Sequence, residues 1–323
     1  MHSLLIEPFQ AGYMRRAIAE MVLLGIVGGV VGVHVLLRRL AFLTEVVQHT
    51  VFPGIAVAFA FGQSLMIGAL STAMLSVVLL TLLGRQQRVD HDSAMAVLFA
   101  VFFAAGVVVV SRRRGFQSDL TALLFGRVLA VDQRQLIDTM VVAAACLIVL
   151  AVLHKELVLR AFDPGGAQAL GYPVARLDLV LNVVIALAVV AGIRAMGTVL
   201  VVAVIVTPAA AARLLCRRIW SAMVVAVAFA AVGGWLGLAL SYTGSVHHGW
   251  RLAAGATVVT VLTIGFVAVA AGRAVWRLFN RRGRRSFGTQ HAATAAISNS
   301  VAELPVTGLQ VTGLQVTGLQ VTG

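Results

Sequence analysis

Glu45 and His49 stand four residues apart inside an otherwise apolar stretch that opens at Ala41. On a helix this spacing stacks both side chains on one face, a turn apart. A carboxylate and an imidazole together suit a divalent cation of the manganese, iron or zinc type. Ionisable groups inside a membrane-length apolar run are costly and normally face a cavity or a partner. Pro53 and Gly54 follow at once. Proline removes a helix hydrogen bond and glycine loosens the backbone, so a kink or helix break is expected at Pro53-Gly54, and a second kink at Thr207-Pro208. Broken helices beside polar groups build sites in many transporters. A plainer reading of Glu45 and His49 is a mutual hydrogen bond or a position near the headgroups.

Other candidates carry less. Asp90, His91 and Asp92 form an acid–imidazole–acid cluster. Asp92 is kept as a metal candidate, although acids just before a helix usually serve as caps. His34 has no second ligand among its sequence neighbours and reads as a packing or interfacial residue. His247 and His248 read as a solvated loop. Between two long apolar runs, Asp163 suits a helix N-cap, Pro164 the first helical position and Gly171 the position after the last turn. This predicts a short, complete helix suited to docking.

These residues need a scaffold, and composition names it. The chain has 323 residues, 60% hydrophobic and only 11% charged, against about 45–50% and about 25% in soluble domains. That excludes an ordinary soluble globule and disorder over most of the length. A span needs about 20 apolar residues. Such runs fall near 17–37, 41–62, 64–84, 92–111, 135–154, 177–193, 194–215, 219–242 and 250–272. The fold expected is therefore all-α, a polytopic transmembrane bundle of eight or nine spans. The 177–193 run is short and tightly linked to the next, which is why eight is the alternative. Residues 119–131 are too short to span and fit a re-entrant or interfacial helix. Gly25, Gly28, Gly29 and Gly32 give two overlapping GxxxG spacings and Gly233 with Gly237 a third, marks of close helix contact.

Net charge is +13, from 25 Lys+Arg against 12 Asp+Glu. The basic residues sit mostly in short gaps between apolar runs, so they report loops rather than a nucleic-acid partner. Nine spans put sixteen of them on one side and nine on the other, which places the N-terminus outside and the C-terminus inside. Arg112 to Arg114 fall on the outer side, against the trend. Lys155 is the only lysine, and no glycine loop precedes it. The chain is thus no P-loop ATPase, and the H-E-x-x-H metalloprotease pattern is absent. Cys146 and Cys216 suggest neither a disulfide framework nor a cysteine metal site. The first apolar run is long enough to span and reads as a helix rather than a cleaved signal.

Several motifs occur together in order. They are Glu45-x3-His49 with Pro53-Gly54, Asp92-Ser-Ala-Met-Ala, Leu124-Phe-Gly-Arg-Val-Leu-Ala-Val131, Lys155-Glu-Leu, Phe162-Asp-Pro, Ala169-Leu-Gly, and Thr207-Pro-Ala-Ala-Ala-Ala-Arg213-Leu-Leu. Over roughly residues 15–272 the chain resembles the membrane permease subunit of ABC transporters that import manganese, zinc or iron. The resemblance implies a permease homodimer in the bacterial cytoplasmic membrane, surrounded by lipid, each copy docked on a cytoplasmic ATPase subunit. An extracellular or periplasmic metal-binding protein would deliver the ion. It implies that Glu45, in place of the more usual aspartate, and His49 lie on the metal path. Asp163, Pro164, Gln168, Leu170 and Gly171 would form the coupling helix in a groove of the ATPase. No cofactor would be bound permanently; Mn2+, Zn2+ or Fe2+ would be cargo, ATP would be used by the partner, and the chain would be no enzyme. Ser245-Val-His-His-Gly249 departs from the family's Asp-x-Pro-Ser-Gly and leaves the metal open. The alternatives are a permease for a metal chelate, siderophore or vitamin, and an ion-gradient-driven metal carrier. A membrane-embedded metal enzyme needs three protein ligands, and only two are well placed.

The organisation expected is an N-terminal segment 1–16, a permease domain 17–279 and a tail 280–323 that is basic, then low in complexity. The tail ends in Val-Thr-Gly-Leu-Gln repeats from Val306 and reads as disordered. Leu304-Pro-Val-Thr-Gly308 matches a sortase signal, but no hydrophobic span follows it.

Overall fold

A computed structural model of the chain describes residues 12–83, 91–111, 131–247 and 253–277. The expected re-entrant segment, apart from Val131, lies outside the described residues, as do Asp90, Arg112 to Arg114, His248 and the tail. The chain divides into two units, Met1–Ala271 and Gly272–Gly323. Among the described residues every regular element is helical. In order they are α1 (Gly12–Leu37), α2 (Ala41–Ala60), α3 (Leu65–Leu83), α4 (His91–Ser111), α5 (Gln133–Val152), α6 (His154–Phe162), α7 (Pro164–Ala169), α8 (Val174–Met196), α9 (Thr198–Leu215), α10 (Ile219–His247) and α11 (Ala254–Arg277). All but α6 and α7 are long and apolar enough to cross a membrane, which makes nine candidate spans among the described residues.

Span boundaries differ from expectation where a charge or a cap decides them. The short 177–193 run is in fact a full span, Val174–Met196, because its terminal Arg194 stays inside the last turn. A cation there complements the helix dipole, and Arg194 pairs with Asp138 of α5 at 3.2 Å. The break falls instead at Gly197, whose φ of 81° favours glycine. α5 starts at Gln133 because the Asp132 side chain accepts its backbone N–H at 2.7 Å. α1 opens at Gly12, α10 continues to His247, and α11 runs Ala254–Arg277.

α1 is the central post. Its glycines serve two partners rather than one. Gly25 and Gly29 lie against Ala230 and Val227 of α10, while Gly28 and Gly32 lie against Val204 and Ile205 of α9. A Cβ at Gly32 would strike the Ile205 carbonyl oxygen. The same device joins α2 to α3, where Gly54 and Gly68 each face the other's carbonyl. Gly233 and Gly237 of α10 receive Leu262 and Val258 of α11.

Both prolines lie inside uninterrupted helices, Pro53 in α2 and Pro208 in α9. Each proline removes one donor only, and neighbouring helices can support the freed backbone group. Pro208 has no N–H for the Val204 carbonyl, and that carbonyl faces Gly28. Gly54 is there for contact with α3, not for loosening α2.

At the end where α1 stops and α8 starts, charges tie the elements together. Asp178 of α8 pairs with Arg38 at 2.7 Å and with Arg160 of α6 at 3.0 Å. The turn from Arg38 into α2 passes through Arg39, a non-glycine at φ 56°.

Two outcomes follow from this packing. Gly32→Ala should lower the detergent unfolding temperature, consistent with an overpacking loss of about 1–3 kcal/mol. Gly12→Ala should not, since a Cβ there meets nothing within 4 Å. Asp178→Ala leaves two guanidinium groups without their carboxylate and should lose about 1–3 kcal/mol. Asp178→Glu should retain most of it in the same thermal assay.

Candidate metal path and coupling elements

α2 carries Glu45 and His49 because its first two turns form one wall facing α4. His49 Nε2 lies 3.1 Å from Glu45 Oε1, and the side chains are 27% and 39% exposed respectively. The His49 ring meets Phe99 edge-on at 4.7 Å and Phe103 at 5.7 Å. Those two phenylalanines, one helical turn apart on α4, are nearly parallel. The aromatic pair holds the imidazole against α2 while leaving the pair open to a cation. Pro53 adds to the site in another way: with no N–H, it leaves the His49 carbonyl without its usual helical donor.

The polar residues on the neighbouring α2 face turn inward. Thr50 donates to Ser76 of α3 at 3.1 Å, and Thr44 and Gln48 are buried. This separates a structural polar seam from the open face of Glu45 and His49.

Asp92 sits exposed in the first turn of α4, seven residues before Phe99, or about 10 Å of helix rise. It forms no three-residue metal-holding group with Glu45 and His49. Among the described residues, no group of three or more histidine, cysteine, aspartate or glutamate side chains could hold a metal. One chain thus presents a single carboxylate–imidazole pair on this face of α2. The His247 side chain lies outside the described residues. His34 is buried at 2% exposure and packs on His154 of α6 with ring centroids 5.6 Å apart.

The short helix after α6 is built by its caps. Asp163 Oδ1 accepts the Gly166 N–H at 2.8 Å, and Pro164 occupies the first turn. Gly171, at φ 82°, lets its own N–H reach the Gln168 carbonyl and the Tyr172 N–H reach that of Ala167. Ala167 is fully buried, whereas Gln168 is exposed and Leu170 is 71% exposed. The helix is therefore anchored on one side and presents the other. α6, held by buried Leu157 and by Arg160 on Asp178, carries it.

Sequence reasoning missed several groups. Glu20 is wholly buried in α1, beside Thr139 of α5. A carboxylate three residues into an expected span was a visible signal. Asp178 with Arg38 and Arg160 gave only the weaker signal of three charges at element ends. Trp220, next to His154 at 4.5 Å, had none beyond its place near a span end.

Residues 10–273 match the model of the ABC 3 transport family. The chain is 34% identical over 254 residues to the manganese transport system membrane protein MntC of Halalkalibacterium halodurans, covering 79% of this chain and 85% of that one. It is 33% identical over 240 residues to the chelated iron transport system membrane protein YfeD of Yersinia pestis, covering 74% and 80%. Among solved structures, PsaBC from Streptococcus pneumoniae in complex with Fab is similar with a TM-score of 0.72 at 29% identity, over 83% of this chain and 95% of that one. Nine candidate spans, the order of the motifs and the family match together show that this chain is a multi-pass membrane protein of the ABC 3 transport family.

Proposed function

We propose that the chain is the permease subunit of an ATP-driven importer for a divalent transition metal, manganese, zinc or iron. The observation that carries this reading is the Glu45–His49 face on α2, a carboxylate and an imidazole 3.1 Å apart inside a spanning helix. Metals of this class take four or more ligands, and one chain offers two. A twofold pair of permeases presents the same patch from both copies, so two Glu45–His49 faces would complete a site on the axis. This supports a homodimer with the ion as cargo and no resident cofactor.

Energy would come from a partner. The chain has one lysine and no phosphate-binding loop, so ATP belongs to a separate cytoplasmic ATPase. α7, with Leu170 and Gln168 outward, suits a groove on that subunit. Movement of α7 would pass through α6 and the Arg160–Asp178–Arg38 pairs into α1 and α8, and a binding protein outside would supply the metal. The permease itself makes and breaks no covalent bond.

In proteoliposomes carrying the ATPase, Glu45→Ala and His49→Ala should each reduce manganese uptake by about tenfold or more while ATP hydrolysis persists. Wild-type uptake by both variants would mean that the path is misassigned. Uptake without the ATPase would sink the importer reading. Leu170→Asp should weaken co-purification of the ATPase without lowering the unfolding temperature, because Leu170 is exposed. Asp163→Ala should do both, through loss of a cap contributing about 1 kcal/mol.

A further inference from the structure

At the end of the bundle where Asp178 binds its arginines, a groove of about 380 Å3 opens between α1, α5 and α10. Its walls include His34, Leu150, His154, Trp220, Met223 and Val224. Most of the surface is apolar. Trp220 and Val224, both on spanning helix α10, are 63% and 67% exposed, so this wall of the groove is open along a spanning helix.

Its rim is basic. Arg217 and Arg218 immediately precede Ile219, the first residue of α10, and both are exposed. Neither enters an ion pair among the described residues, whereas Arg38 and Arg160 at the same end are neutralised by Asp178. The start of a 29-residue helix adds backbone N–H groups and the positive end of its dipole. Trp220, one residue on, has the amphipathic ring that settles at headgroup level.

Two histidines face the same space. His34 is 2% exposed, and its Nε2 has no hydrogen-bond partner among the described residues. His154 joins it edge-on and packs on Trp220. Burial holds the His154 imidazole below its ordinary value, so near pH 7 it is a neutral donor, suited to an ester or phosphate oxygen. Glu156, the nearest acid on α6, is two residues from His154 and so on the opposite side of that helix.

We infer that this groove is a binding site for an anionic phospholipid of the leaflet at the basic end, its phosphate at Arg217, Arg218 and the start of α10 and one acyl chain along Leu150, Met223 and Val224. Unpaired arginines select a net negative headgroup over a zwitterionic one. A second permease copy is the weaker occupant, because the Glu45–His49 face lies on α2 and α4, whereas these walls belong to α1, α5 and α10.

The test uses the full chain in bilayers of phosphatidylcholine and phosphatidylglycerol in which one lipid at a time carries brominated acyl chains, a short-range quencher of tryptophan. The chain has four tryptophans, so the Trp220 signal is the difference between wild type and Trp220→Phe. At equal mole fraction, brominated phosphatidylglycerol should quench this component several-fold more than brominated phosphatidylcholine. Arg217→Gln with Arg218→Gln should erase the preference, each arginine contributing about fivefold in relative affinity, with an unchanged unfolding temperature in neutral detergent. Equal quenching by the two lipids would overturn the inference in favour of an unselective lipid face. Absence of quenching by either would overturn it in favour of a protein on the groove. Loss of the preference in inorganic phosphate, but not in chloride of equal ionic strength, would show that the site reads free phosphate rather than lipid.

Discussion

Lipid tails are as apolar as leucine, so helices in a bilayer gain nothing by burying apolar side chains against one another. What holds them is close contact, and here the contact is concentrated on α1. Gly28 and Gly32 admit the backbone of α9, and Gly25 and Gly29 admit that of α10. With side chains absent at these points, carbonyl oxygens of α9 approach the α1 backbone closely enough for weak Cα–H···O bonds. Everything else is arranged around that post. α5 and α8 pack on its remaining sides, and Arg38, the first residue of the turn that follows it, is held by Asp178.

The polar groups follow a second rule, that charges near or in lipid must be paired, capped or used. Arg194 with Asp138, and Asp178 with its two arginines, are paired. Asp163 and Asp132 are caps. Glu45 and His49 are paired only with each other and remain partly exposed. They are the feature that packing alone does not account for.

Much of the architecture could be read without coordinates, because hydropathy runs report directly on a bilayer of fixed thickness. All nine spans could be found in this way, and the short helix at 163–171 could be read from Asp163, Pro164 and Gly171, since caps are local chemistry. Local signals failed where the cause was not local. Arg194 looked like the start of a span because its partner Asp138 is 56 residues away. At Pro53 spacing did not decide between a kink and a full break, because sequence alone does not show the neighbouring helices that surround a freed carbonyl. Gly54 was assigned to flexibility, although its reason is Gly68 on another helix. At the candidate site, Glu45 with His49 was legible from spacing, but the contact of Phe99 and Phe103 with the imidazole was not, because it depends on how α4 packs on α2.

The turn between α1 and α2 also limits how such a permease can vary. It is only three residues long, contains Arg39 in the left-handed region, and is held at Arg38 by Asp178. Each residue inserted or removed there would rotate α2 by about 100° and shift it by about 1.5 Å relative to α1. The Gly54–Gly68 crossing would then have to be given up, or the Glu45 face would turn away from α4. Length at this junction is therefore as constrained as residue identity, and homologues with different metals should diverge in side chains along α2 while keeping the number of residues in this turn.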